Sequence, residues 1–138
     1  METTQGALRT LPKPNNMFMI PSSLDTDFFD WWCTLIKPFV TLTKSEIKVI
    51  AAFLKKRHEL SKGISDPAIL DSHLMSNEIR DKIIKDCGIT IRHFYVVMSS
   101  LRKRGIIVNN IINPKIIPNI RPTDNGMFQL LVLIKEEK

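Results

Sequence analysis

The stretch from Ser76 to Gly105, SNEIRDKIIKDCGITIRHFYVVMSSLRKRG, limits the folds open to this chain more than any other. Ser76 is a good N-cap, and Ile79, Ile83 and Cys87 follow at i, i+4 and i+8, with Ile84 widening the apolar stripe. Gly88 can take the left-handed conformation that ends a helix, and Thr90 can cap the next one. Phe94, Val97, Met98 and Leu101 then recur at i, i+3, i+4 and i+7, which defines one buried face. The second helix is expected to stop at Gly105, behind Arg102, Lys103 and Arg104, three cations suited to the negative end of a helix dipole. The β-branched run Ile106-Ile107-Val108 starts at once. The pattern is two helices about a tight turn, then a glycine and a strand.

Around this unit the chain divides in two. Residues 1–20 show little periodicity, and Pro12, Pro14 and Pro21 oppose a helix, so they read as an arm. Met17, Phe18, Met19 and Ile20 are its one apolar cluster and its expected anchors on a neighbouring protein chain. Residues 22–37 read as a helix capped by Ser22 or Ser23, with Asp25, Asp27 and Asp30 in its early turns and Pro38 ending it. Leu24, Phe28, Phe29, Trp31, Trp32, Leu35 and Ile36 make it apolar on nearly every side, so it needs cover on more than one face. That cover is either the domain core or a subunit interface, for which Phe28, Trp31 and Trp32 are the candidates.

Thr43-Lys44-Ser45-Glu46 is a capping box. Ile47, Ile50, Ala51 and Leu54 keep helical spacing after it, to about Leu60, with Lys48, Lys55, Lys56 and Arg57 turned to solvent. Asp66-Pro67 can open a short helix through Leu70. Beyond Gly105, a strand over 106–112, a proline-punctuated loop from Asn113 to Gly126 and a strand over 127–134 form a hairpin. Pro114, Pro118 and Pro122 recur every four residues and make that loop extended and stiff. The expected organisation is an arm and apolar helix over 1–42, then one helix-turn-helix domain over 43–138. The fold class is mainly α with a small β-hairpin.

At 138 residues the chain can bury a core without staples. Cys33 and Cys87 both sit in apolar patterns, so free buried thiols and a reducing compartment are expected. No apolar run reaches the length of a membrane span and no secretory leader pattern opens the chain, so the expected location is a host cytoplasm or a virion assembled there. The net charge of +6 is uneven: residues 1–42 hold three cations against four acids, and residues 43–138 hold seventeen against ten. The basic half permits a polyanionic partner. No nucleophile elbow, phosphate-binding loop, dinucleotide fingerprint or zinc-protease motif is present. His58, His73 and His93 lack metal-ligand spacing and are expected on the surface, while a helix start explains the three early aspartates. Neither a catalytic residue nor a metal or other cofactor is expected.

From Leu42 to Ile134 the sequence resembles the winged helix-turn-helix superfamily, in the style of MarR-type regulators. Leu42-Thr43-Lys44-Ser45-Glu46 is similar to the start of their first core helix, and Leu101-Arg102-Lys103-Arg104-Gly105-Ile106-Ile107 to the end of their recognition helix. Arg57-His58-Glu59-Leu60-Ser61-Lys62 and Ile112-Asn113-Pro114-Lys115-Ile116-Ile117-Pro118 also resemble small proteins of tailed phages of Bacteroidetes, crAss-like phages among them. The first resemblance implies a winged helix-turn-helix fold, to which the residues before it add the N-terminal arm and the extra apolar helix. The second implies a structural role in a particle.

In DNA-binding members of that superfamily, the outer face of the second helix enters the major groove. Here it would present Thr90, Arg92, His93, Tyr95 and Ser99. Arg102, Lys103, Arg104, Lys115 and Arg121 could meet phosphates or form a solvated cationic face. Ile91 and Val96 fall on the same face and read bases poorly, so either the helix is rotated to bury them or the face docks protein. Two functions follow. One is a non-enzymatic assembly protein whose partners are other protein subunits. The other is a regulator or replication accessory that reads double-stranded DNA with the helix at 90–104.

Overall fold

The computed structural model describes residues 27–118. Thr43 and Glu46 close the capping box that their spacing predicts. The Glu46 N–H donates to Thr43 Oγ1 at 3.2 Å, and Glu46 Oε1 accepts from the Thr43 N–H at 2.8 Å. That cap starts the central helix. The described residues form five helices and one small sheet: α1 (Phe28–Val40), α2 (Lys44–Ser61), α3 (Pro67–Leu74), α4 (Asn77–Cys87) and α5 (Ile91–Lys103), then β1 (Ile107–Val108) and β2 (Ile111–Ile112), antiparallel with Ile107 opposite Ile112. A 3-10 turn, Pro114–Ile116, follows.

Helix α2 is the spine. Val49, Ile50, Ala51, Phe53 and Leu54 are buried, and α1, α3, α4 and α5 all pack against it. Helix α4 contributes Ile79, Ile83 and Cys87, and α5 contributes Phe94, Val97, Met98 and Leu101, all buried as their spacing predicts. Each large apolar side chain of this set contributes about 1.5–3 kcal/mol through burial. Gly88 adopts φ +62 at the end of α4, where a Cβ would strain the backbone, and its N–H caps the Ile84 and Lys85 carbonyls. Arg57 pairs with Asp71 at 3.1 Å, fastening α3 to the spine.

Four expectations are corrected. Helix α1 opens at Phe28 and passes through Pro38 to Val40, ending at Thr41 in a left-handed conformation. Proline removes one N–H but does not itself turn the chain, and Thr41 N–H still bonds Lys37 O at 2.8 Å. Residues 106–112 are not one strand but a hairpin folded on itself. Asn109 and Asn110 both take positive φ, the two-residue turn whose twist matches paired strands. The start of the proline-rich loop is a compact turn rather than an extended spacer, because Asn113 caps it by accepting from Lys115 N–H. His58 is buried, its ring 5.8 Å from that of Phe29, because it continues the inward face of α2 after Ala51 and Leu54. The arm at 1–20, the helix start at 22–26, the remaining loop and the strand at 127–134 lie outside the described residues.

One buried carboxylate joins three helix ends. Glu46 is 2 % exposed and bonds Arg104 Nη1 at 3.0 Å through Oε1 and the Ser100 hydroxyl at 3.1 Å through Oε2. Arg104 also donates to the Thr41 carbonyl at the end of α1. Burial pushes the Glu46 carboxyl up, but the hydrogen bonds from Thr43 and Ser100 and the Arg104 charge outweigh it and hold the group below the usual glutamate range. The folded-state pKa is therefore lower than the unfolded one. The contribution is whole above the ordinary glutamate range and is lost as pH falls through the folded value. Glu46→Ala is expected to cost about 1–2 kcal/mol by urea melts at neutral pH, because it removes one half of the capping box and the acceptor that Ser100 and Arg104 share. Glu46→Gln is expected to give a shallower loss of stability on acidification than the wild type.

Candidate functional site

Helix α5 carries its outward groups because its inward set is fixed by the core. Thr90 caps it, its hydroxyl accepting from His93 N–H at 3.1 Å. With Phe94, Val97, Met98 and Leu101 facing in, helical geometry turns Ile91, Arg92, Tyr95, Val96 and Ser99 out. Ile91 is 59 % exposed and Val96 61 %. The helix is thus not rotated to bury them. An open groove along this face is lined by Arg92, Tyr95, Val96, Ser99, Ser100 and Lys103. Its floor is fixed from below, since Ser100 bonds Glu46.

The expected polyanion-binding residues separate into groups. Arg92, His93, Ser99, Arg102 and Lys103 are exposed on α5, which holds no Asp or Glu. Tyr95 is exposed, but its hydroxyl accepts from Arg80 Nη1 at 2.8 Å, and the guanidinium carbon lies 6.0 Å from the ring centre. Arg80 in turn holds Asp81 at 3.1 Å. Arg104 is drawn inward to Glu46 and Thr41, so its charge is largely committed to the fold. Lys115 is exposed on the 3-10 turn, and Arg121 lies outside the described residues.

The second surface is on α1. Phe29 and Cys33 face the core, and Phe28 is half-buried edge-on to Phe29. Trp32 is half-buried, its indole N–H donating to Ile116 O at 2.7 Å, so it clamps the 3-10 turn onto the helix. Trp31 remains outside, 47 % exposed, and so do Leu35 at 44 % and Phe39 at 79 %. Met17, Phe18, Met19 and Ile20 lie outside the described residues. Phe39 follows Pro38, a residue type that marks a helix end, so the sequence hides its place on α1. The spacing of 31, 35 and 39, four apart each time, was the signal that could have found the stripe.

Among the described residues no three His, Cys, Asp or Glu side chains gather as a metal-ligand set, and no helix is long and apolar enough to cross a membrane. Both cysteines are free and buried. Burial first, with the Asp30 charge second, pushes the Cys33 thiol up to about 12. Cys87 is also raised, chiefly by burial, and its thiol donates to the Lys48 carbonyl at 3.6 Å. No family model, curated protein or solved structure matches the chain. Thiol titration with a chromogenic disulfide at neutral pH is expected to leave both cysteines unmodified in the native protein and to count two after unfolding, since the thiolate is the reacting form.

Proposed function

We propose that this chain is a non-enzymatic docking module with a winged helix-turn-helix layout, which meets other protein subunits through the outer faces of α5 and α1. The supporting observation is the exposure of Ile91 and Val96 on the helix face that a DNA reader would turn to the bases. Branched aliphatic groups offer no hydrogen bonds to base edges, and at best touch a thymine methyl. Left in water they are unfavourable, at about 25 cal/mol per Å² of apolar surface, and a protein partner would remove that cost. The resemblance to small phage proteins makes a virion or nucleoprotein assembly the setting.

A second reading is supported by a separate observation: Arg92, Arg102 and Lys103 are exposed on a helix without acids. Under it α5 lies on duplex DNA, with Arg92 at a guanine and Lys103 at a phosphate. The two readings part in a salt series of fluorescence anisotropy on random and mixed-sequence duplexes. Docking predicts weak binding at most, unchanged by Arg92→Ala and equal across sequences. DNA reading predicts that Arg92→Ala abolishes sequence preference, while Lys103→Ala weakens all duplexes alike and reduces the salt slope by about 1. That second outcome would overturn the docking proposal.

A further inference from the structure

Helices α1 and α5 each leave an outer face exposed, bulky and aromatic on α1 and mixed apolar and polar on α5, and the two carry different charge. The outer stripe of α1 sets Trp31, Leu35 and Phe39 at i, i+4 and i+8, and the outer face of α5 sets Ile91, Tyr95 and Ser99 at the same interval. At 1.5 Å per residue each triplet spans about 12 Å. We propose that α1 of one copy packs antiparallel on α5 of a second copy, with Leu35 opposite Tyr95. This names the partner for the docking surfaces proposed above and rests on that reading.

The register follows from that one pair. Phe39 meets Ile91, and the bulky Trp31 meets the small Ser99, so large groups sit over small ones as rows of side chains interdigitate. Asp27 then falls opposite Lys103. The stripe of α1 thus starts at an acid, Asp27, where the stripe of α5 ends at Lys103 with Arg102 beside it, while Asp30, roughly 140° round the helix from Leu35, lies off the contact. The same direction sets the positive end of one helix dipole beside the negative end of the other. Lys37 is the one cation on α1. It lies roughly 160° round the helix from Leu35 and so away from the contact. Arg92 falls opposite Pro38, which bears no charge.

Charge also disfavours pairing like with like. Two α5 faces would bring Arg92, Arg102 and Lys103 of each copy together with no acid on either helix. Two α1 faces would leave the α5 surface uncovered. An α1-on-α5 contact is heterologous: each copy gives one face and receives at the other, and the assembly closes as a ring or runs on as a chain. A helix pair of this length is smaller than a standard interface of about 800 Å² per partner, so dissociation constants on the order of 10–100 μM are expected.

The test uses the full chain and two exposed-site variants, Leu35→Glu and Ile91→Glu, each first shown by thermal melt to be folded. Sedimentation equilibrium at roughly 0.5 mM protein, above the expected dissociation constant, is expected to give a wild-type mass well over the monomer. Each variant alone is expected to be monomeric, because each has lost one of the two faces. Their equimolar mixture is expected to form a one-to-one dimer that grows no further, since one intact α1 meets one intact α5. A monomeric wild type overturns the pairing, as it would if the chain's own terminal segments covered these faces. So does a variant that still self-associates, or a mixture that stays monomeric. None of these outcomes touches the DNA comparison, which judges the docking reading separately.

Discussion

The Glu46 carboxylate is the contact on which the arrangement of this molecule depends. It closes the cap of α2, holds Ser100 on α5, and accepts from Arg104, whose guanidinium also reaches the Thr41 carbonyl at the end of α1. Three helices thus meet at one charge. A buried charge of this kind stabilises only when each of its lone pairs is met, and replacing it by an apolar group can be neutral if the partners go too. Its value here is placement: it sets the end of α1 and the end of α5 in a defined relation, and both outer faces inherit that relation.

Much of the helical fold was legible because local rules and burial agree in it. Thr43, Ser76 and Thr90 are each N-caps by side-chain hydrogen bonds, Gly88 ends its helix in the left-handed region, and the i, i+3, i+4, i+7 set on α5 is buried throughout. Local signals and structure part where packing overrides the signal. Pro38 suggested a stop, yet α1 continues because packing of Val40 and the Thr41 turn complete the last turn. Asn109-Asn110 is a turn signal, since asparagine tolerates positive φ, but the β-branched residues on both sides, Ile106 to Val108 and Ile111-Ile112, give the stretch the look of one strand. His58 looked like a surface residue by type, whereas its position in the α2 period was the better guide.

The candidate site was legible in membership and not in geometry. Sequence places Arg92, Tyr95, Ser99 and Lys103 on one helix face, and the structure lines one groove with them. It could not say that Arg104 is taken by Glu46, nor that Arg80 reaches across from α4 to hold Tyr95, because these are contacts between elements. The exposure of Ile91 and Val96 likewise follows from how deeply α5 sits on α2. Periodicity gives direction round a helix, and only packing gives depth.

The adjacent tryptophans have a practical consequence. Trp32 has its indole N–H on the Ile116 carbonyl, while Trp31, one residue earlier, stands half in water. Indole emission shifts with the polarity around the ring, so the pair forms two optical channels within a single helical turn. A Trp32→Phe protein would report through Trp31 alone and would register whatever settles on the outer face of α1. A Trp31→Phe protein would report through Trp32 and would register release of the 114–116 turn from the helix. Contact with a partner and loosening of the fold could thus be followed independently in the same molecule, without an added dye.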